Sequence, residues 1–115
     1  MMNQLYLVGR IVNAPEVTET ESGKKLTTIT LAVPRNYKNE NGEYESDFIR
    51  CNLWGGVAEN TVEYCQKGDL VGIRGRLQSN SYEDKEGNKK FSLDVTADKV
   101  SFLASKQHNE PESER

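Results

Sequence analysis

Period is the feature that most constrains this chain. From Leu5 to Leu103 apolar residues recur at every second position along most of the sequence, and a two-residue repeat places side chains alternately on the two faces of an extended strand. A first strand is expected from Asn3 to Val12, with Leu5, Leu7 and Ile11 on one face and Tyr6, Val8 and Val12 on the other. A strand apolar on both faces is expected to be covered on both, by the core and by another subunit. Ala14-Pro15-Glu16 bends the chain, a short edge segment follows around Val17, and Ser22-Gly23 turns it back. The second strand, Lys25 to Val33, sets Ile29, Leu31 and Val33 against Thr28, Thr30 and Ala32, and Pro34 is expected to end it.

A polar arm then runs from Asn36 to Tyr44, with Asn41-Gly42 as its turn signal. The third strand, Glu45 to Trp54, divides into a core face of Ile49, Cys51 and Leu53 and a second face of Phe48, Arg50, Asn52 and Trp54. Gly55-Gly56 opens the one helix candidate, Val57 to Gln66, where Ala58, Val62 and Cys65 have helical spacing and Gly68 is expected to cap the end. A fourth strand, Leu70 to Gln78, turns Val71, Ile73 and Leu77 inward and Arg74, Arg76 and Gln78 outward, with Gly75 marking a bulge or bend. A second polar arm, Ser79 to Lys90, turns at Glu86-Gly87-Asn88. The fifth strand, Phe91 to Leu103, inserts Phe91, Leu93, Val95 and Ala97, then Val100 and Phe102 after a change of phase near Asp98. All-β, with five strands and a helix between the third and fourth, is the order of an OB-fold, a small Greek-key barrel. An SH3-like or split barrel is the alternative. Residues 1–103 make one domain, and 104–115, without apolar periodicity, read as a disordered polar tail.

Several chemistries lack their residues. The chain has two cysteines, Cys51 and Cys65, and a single histidine, His108. A zinc site takes about four ligands at short paired spacings, and there is no CxxC, so no metal is expected. Both cysteines read as small buried hydrophobes. Gly72-Ile73-Arg74-Gly75 is not a dinucleotide loop and Gly23-Lys24-Lys25 lacks the rest of a phosphate-binding loop. A non-catalytic protein without cofactors follows. No apolar run approaches the ~20 residues of a membrane span, and the N-terminus lacks a basic stretch followed by an apolar one, so a cytoplasmic address is expected.

What remains is a surface. Single-stranded nucleic acid offers base faces and a charged backbone, and a protein that holds it without reading sequence needs aromatics for stacking among cations for phosphates. Phe48, Arg50 and Trp54 share one strand face, and Arg74 and Arg76 share another. Tyr37 stands beside Arg35 and Lys38 in the first arm, and Tyr82 stands in the second with Lys85, Lys89 and Lys90 further along. From pattern alone Tyr37 and Tyr82 read equally as buttresses of their hairpins, and the arginines equally as a solvated face. The formal charge of -3 argues against a protein that grips polyanions by bulk charge, so aromatic placement decides.

These segments, in order, also carry a resemblance. Asn3-Gln4-Leu5-Tyr6-Leu7-Val8-Gly9-Arg10, Ala14-Pro15-Glu16, Thr30-Leu31-Ala32-Val33, Ser46-Asp47-Phe48-Ile49-Arg50-Cys51-Asn52-Leu53-Trp54-Gly55, Ala58-Glu59, Lys67-Gly68 and Val71-Gly72-Ile73-Arg74-Gly75-Arg76-Leu77 are similar to the bacterial single-stranded DNA-binding protein family. The likeness covers about residues 1–103. It implies an OB-fold, a homotetramer and single-stranded DNA as partner in replication, recombination and repair, with stacking on Tyr37, Phe48, Trp54 and Tyr82. Family members commonly recruit replication and repair proteins through an acidic tip that ends in apolar residues. This sequence departs there, finishing Glu110-Pro111-Glu112-Ser113-Glu114-Arg115. The reading from another class is an OB-fold module that uses the same aromatic face to bind protein, and an RNA-binding module is a third.

Overall fold

Turn chemistry organises the strands. In the computed structural model, which describes residues 1–105, three hairpins share one five-residue connection: Thr20–Lys24, Asn39–Glu43 and Asp84–Asn88. In each, the first residue's N–H donates to the last residue's carbonyl, at 2.8, 2.8 and 3.0 Å, and its own carbonyl accepts from the fourth residue's N–H. That fourth residue is Gly23, Gly42 or Gly87, with φ of 86°, 79° and 84°, a region that costs glycine nothing. The first residue's side-chain oxygen locks the turn: Asn39 Oδ1 accepts from Asn41 and Glu43, Asp84 Oδ1 from Glu86 and Asn88, and Thr20 Oγ1 from Lys24.

Between these turns run β1 (Leu5–Ile11), β2 (Thr18–Glu19), β3 (Lys25–Lys38), β4 (Tyr44–Trp54), α1 (Gly55–Tyr64), β5 (Leu70–Glu83) and β6 (Lys89–Ala104). The strand order β1-β5-β6-β4-β3 is closed by β1 pairing with β3, while β2 adds to the free edge of β3. All pairings are antiparallel except β4 with β6. A closed five-stranded barrel with that one parallel pair and the helix between β4 and β5 is an OB-fold, which disposes of the SH3-like alternative.

Closure needs β1 to bend from β5 to β3, and β5 to bend against β6. Glycine makes both close approaches possible: a Cβ at Gly9 would overlap the Ala32 carbonyl, and one at Gly75 the Thr96 carbonyl. The β5–β6 register shifts between Arg74 and Gly75, so the expected bulge and the phase change near Asp98 are one event. Where β1 leaves β3, the Asn13 side chain continues the ladder, accepting from Thr30 N at 2.7 Å and donating to the Thr28 carbonyl at 3.1 Å.

Inside the barrel lie Ile11, Ile29, Leu31, Cys51, Leu53, Val71, Ile73, Val95 and Ala97, with Ala58 of the helix and Cys65 after it. The inward faces expected for the third strand and for the start of the fourth are those observed. Some expectations fail, for physical reasons. Pro34 does not end its strand: β3 runs on to Lys38, and the β3–β4 register breaks between Pro34 and Lys38, an irregularity that accommodates a residue without an N–H. Phe91 and Leu93 are not core but 71% and 68% exposed, and Leu77 and Phe102 are exposed too. The β5 and β6 ladder extends to the pair Glu83 and Lys89, so the alternating pattern continues into a hairpin that has left the barrel. The helix begins and ends two residues before the expected span, and its C-cap is Cys65, whose N–H donates to Thr61 O; Gly68 (φ 95°) belongs to the following turn. Ala104, assigned to the tail, is the last residue of β6, and 106–115 lie outside the described residues.

Candidate nucleic-acid interface

The outer face of β3 and β4 is built by register. Leu26, Thr28, Thr30 and Ala32 stand opposite Trp54, Asn52, Arg50 and Phe48. Ala32, a small side chain on β3, leaves Phe48 opposite it 66% exposed, and Trp54, opposite Leu26, is 41% exposed. Tyr37, on the outer reach of β3, is 61% exposed, and Tyr82, on the outer reach of β5, is 56% exposed. An exposed aromatic that no core covers is what a stacking platform requires.

Trp54, Arg76, Gln78 and Thr96 line one open groove of about 750 Å³, whose rim is Gly23, Lys24, Lys25 and Gly55. The structure therefore unites Trp54 with Arg76 from distant strands, and Arg50 and Phe48 continue the same face of β4. Beyond Gly75 the β5 residues Arg76, Gln78, Asn80 and Tyr82 alternate onto one side of the hairpin, with Lys90 opposite Tyr82. Lys89 pairs in register with Glu83 on the other side, and Lys85 sits in the turn. Lys24 and Lys25 were not among the candidates. Their signal was present as two consecutive lysines after a turn glycine, though nothing in the sequence said that this turn meets Trp54.

Two candidate cations, Arg35 and Arg74, are engaged by carboxylates. Arg35 Nη2 and Nε hold Asp47, at 2.8 and 3.2 Å to Oδ1, while Nη1 donates to Glu45 Oε1 at 3.0 Å. The hydrogen bond from Arg35, then its charge, keeps the Asp47 carboxyl below the usual range, and Asp47 raises Arg35 in return by the same two causes. Arg74 Nε donates to Asp98 Oδ1 at 2.7 Å, which raises it, and its strand partner is Tyr6 of β1. Lys25 pairs with Glu59 at 2.6 Å and is raised by that contact. Lys38 Nζ lies 5.7 Å from the Tyr44 ring centroid, a cation–π contact.

Thiol chemistry is absent from this face. Cys51 and Cys65 are free and buried. Burial, then the charge of Asp94, pushes the Cys51 thiol up to about 12, and burial followed by Asp69 raises Cys65. Among the described residues no cluster of His, Cys, Asp or Glu is placed to hold a metal ion. No described helix is long and apolar enough to cross a membrane.

An OB barrel with exposed aromatics among cations on its β3–β4 face and long hairpins has the features of an oligonucleotide-binding barrel. Residues 2–103 match the Single-strand binding protein family, and the chain belongs to that family. It is 48% identical over 103 residues to Single-stranded DNA-binding protein B of Bacillus subtilis (strain 168), covering 90% of this chain and 91% of that one. Identity to Single-stranded DNA-binding protein 2 of Listeria monocytogenes is 43% over 109 residues, 95% of this chain and 68% of that protein. With Single-stranded DNA-binding protein A of Bacillus subtilis it is 43% over 106 residues, 92% of this chain and 62% of that relative's length.

Proposed function

We propose that this protein binds single-stranded DNA without catalysis and largely without regard to sequence. Bases stack on Trp54, Phe48, Tyr37 and Tyr82, and phosphates meet Arg50, Arg76, Lys90, Lys85 and Lys89 directly. Arg35, Arg74 and Lys38 meet them after exchanging their present contacts. The groove that joins Trp54 to Arg76, Lys24 and Lys25 carries this reading, and the names of its relatives agree with it. Protection of the strand during replication, recombination and repair in the cytoplasm is the corresponding role, with proteins of those processes as partners. The barrel assembles as a homotetramer. Val8 on β1 and Leu103 on β6 are exposed in the single chain and flank Gly72, whose Cβ position lies 4.0 and 3.8 Å from them; with exposed Tyr6 two residues along β1 they make an apolar patch suited to a second copy.

Trp54 fluorescence, titrated with oligo-dT and with duplex of equal length, tests the reading. The single strand quenches and the duplex does not. Because a stacked base is worth about 1–3 kcal/mol, Phe48→Ala lowers affinity by roughly 5- to 150-fold. Equal affinity for duplex, or no quenching by the single strand, refutes it. Oligo-rU alongside dT separates RNA from DNA, and a monomer mass by sedimentation at micromolar concentration removes the tetramer.

A further inference from the structure

Tyr44 is an exposed aromatic side chain that the four stacking positions do not account for. It opens β4, and that strand alternates without a break from Tyr44 to Trp54, so Tyr44, Phe48, Arg50 and Trp54 share one face. The residues between them turn to the other face, Glu45 and Asp47 to hold Arg35 and Cys51 and Leu53 to fill the core. The irregularity of this arm falls in β3, where Arg35, Asn36 and Tyr37 stand against Glu45 alone, and it leaves the phase of β4 untouched. A strand rises about 3.4 Å per residue, which puts Tyr44 about 14 Å from Phe48, against roughly 20 Å between Phe48 and Trp54. A nucleic-acid strand that passes from Trp54 to Phe48 needs a shorter step to reach Tyr44.

Opposite Tyr44 in register stands Lys38, whose Nζ lies 5.7 Å from the ring centroid. Tyr44 is nevertheless 62% exposed, so the ammonium leaves much of the ring open. A cation–π contact at an exposed site is weak, and lysine is a point charge on a flexible stem that can turn from the ring to a phosphate. Platform and cation thus stand together, the combination that holds a single strand without reading its sequence. Past them the turn Asn39–Glu43 brings Glu40 and Glu43, whose charges repel a phosphate. We propose that Tyr44 and Lys38 form a further nucleotide subsite, the last on this arm: a base stacks on the Tyr44 ring while Lys38 leaves the ring for the neighbouring phosphate. This rests on the single-stranded DNA reading above and extends its path along β4.

The test uses the full chain and oligo-dT of about 16 nucleotides, the upper end of the site size of an OB barrel, with Trp54 fluorescence as the signal over a range of salt. Tyr44→Leu, which keeps an apolar side chain but offers no ring, lowers affinity by about 5- to 150-fold, the worth of one stacked base. Tyr44→Phe keeps the ring and binds as wild type does. Lys38→Gln makes the dependence of log K on log salt shallower by about 0.7, one phosphate. At high salt, where phosphate contacts fade, Lys38→Gln matches wild type while Tyr44→Leu still shows its loss, because stacking is not screened. Unchanged affinity in Tyr44→Leu, or an equal loss in Tyr44→Phe, overturns the stacking role. A Lys38→Gln slope equal to that of wild type removes Lys38 as the phosphate partner. A loss at high salt as large in Lys38→Gln as in Tyr44→Leu means that the two only brace the hairpin, which also overturns the subsite. All of these outcomes leave DNA binding by the other platforms intact, whereas a wild type that does not bind the strand overturns the underlying reading and the subsite with it.

Discussion

Arg35 reaches a phosphate only by leaving two carboxylates. Its Nε lies 3.2 Å from both Asp47 oxygens, Nη2 lies 2.8 Å from Oδ1, and Nη1 lies 3.0 Å from Glu45 Oε1. Three of its nitrogens are therefore engaged, and a DNA phosphate competes with a fork already filled. Asp47→Asn removes the charge that fills it and leaves a weaker amide acceptor. In the variant Arg35 neutralises one more phosphate, and the dependence of log K on log salt steepens by about 0.7, the single-strand contribution of one phosphate. The rise in affinity at low salt is small, about a few-fold, because both side chains are more than a third exposed and such pairs are weakly held.

The pH dependence follows from the sign of the shift. Asp47 is held below the ordinary carboxylate range by Arg35. What the pair contributes to stability is present above the unfolded value near 3.9 and is lost as pH falls through the lower folded value. From about pH 5 to 8 the wild-type pair is intact, so it adds no pH dependence to DNA affinity there, and wild type and Asp47→Asn keep a constant ratio. Titrations of Trp54 fluorescence at several salt concentrations on wild type, Asp47→Asn, Arg35→Gln and the double variant make a cycle. Asp47→Asn steepens the slope in the wild-type background and has no effect in Arg35→Gln. Equal steepening in both backgrounds would mean that loss of one negative charge acts at a distance, and no steepening in either would mean that Arg35 does not meet phosphate; both results refute the reasoning.

Three further outcomes are expected. Leu53→Ala empties a site with no solvent exposure and lowers unfolding free energy by about 2–5 kcal/mol in urea melts. Thr27 is buried and its Oγ1 has no hydrogen-bond partner, so Thr27→Val relieves an unmet desolvation cost and raises stability by about 1 kcal/mol, seen as a higher Tm in calorimetry. Cys51, buried and pushed up to about 12, resists a thiol reagent at neutral pH in the native protein and reacts at the ordinary rate once urea unfolds the chain.

Alternation was sufficient to reveal the barrel wherever a strand has one face on the core. Ile49, Cys51 and Leu53 against Phe48, Arg50 and Trp54 is a pattern with one solution, because a one-residue slip would bury Arg50. It failed where the same alternation continues beyond the barrel. Leu77, Leu93 and Phe91 follow the inward phase of Val71, Ile73 and Val95, and nothing local records that the core has ended. Pro34 misled for a related reason: proline forbids a ladder donor, but an irregular register tolerates one. Within the site, Phe48, Arg50 and Trp54 were legible together because one strand carries them. Lys24 and Lys25 reach Trp54 because β3–β4 pairing sets Leu26 opposite it, and Arg76 reaches it through β6, contacts between segments far apart in sequence. The carboxylates on Arg35 and Arg74 were invisible for the same reason, since Asp47 and Asp98 become partners only through strand pairing.

These pairings also bear on how an acidic chain presents itself to a polyanion. The whole sequence has 15 Lys and Arg against 18 Asp and Glu, yet the charges are not spread evenly over the barrel. Carboxylates neutralise Arg35, Arg74 and Lys25, whereas Arg50, Arg76 and Lys24 form no ion pair among the described residues, and two of those three meet at the Trp54 groove. Charges further apart than a Debye length of about 8 Å are largely screened at physiological salt, so a strand in the groove responds to its near cations and little to the acidic residues of distant turns. Counterion release then scales with the unpaired cations: five phosphates met by Arg50, Arg76, Lys85, Lys89 and Lys90 give a salt slope of roughly -3.5 per barrel. Stacking, which salt does not screen, supplies the remaining affinity, and an acidic protein can therefore hold single-stranded DNA at ionic strengths where a purely basic groove would release it.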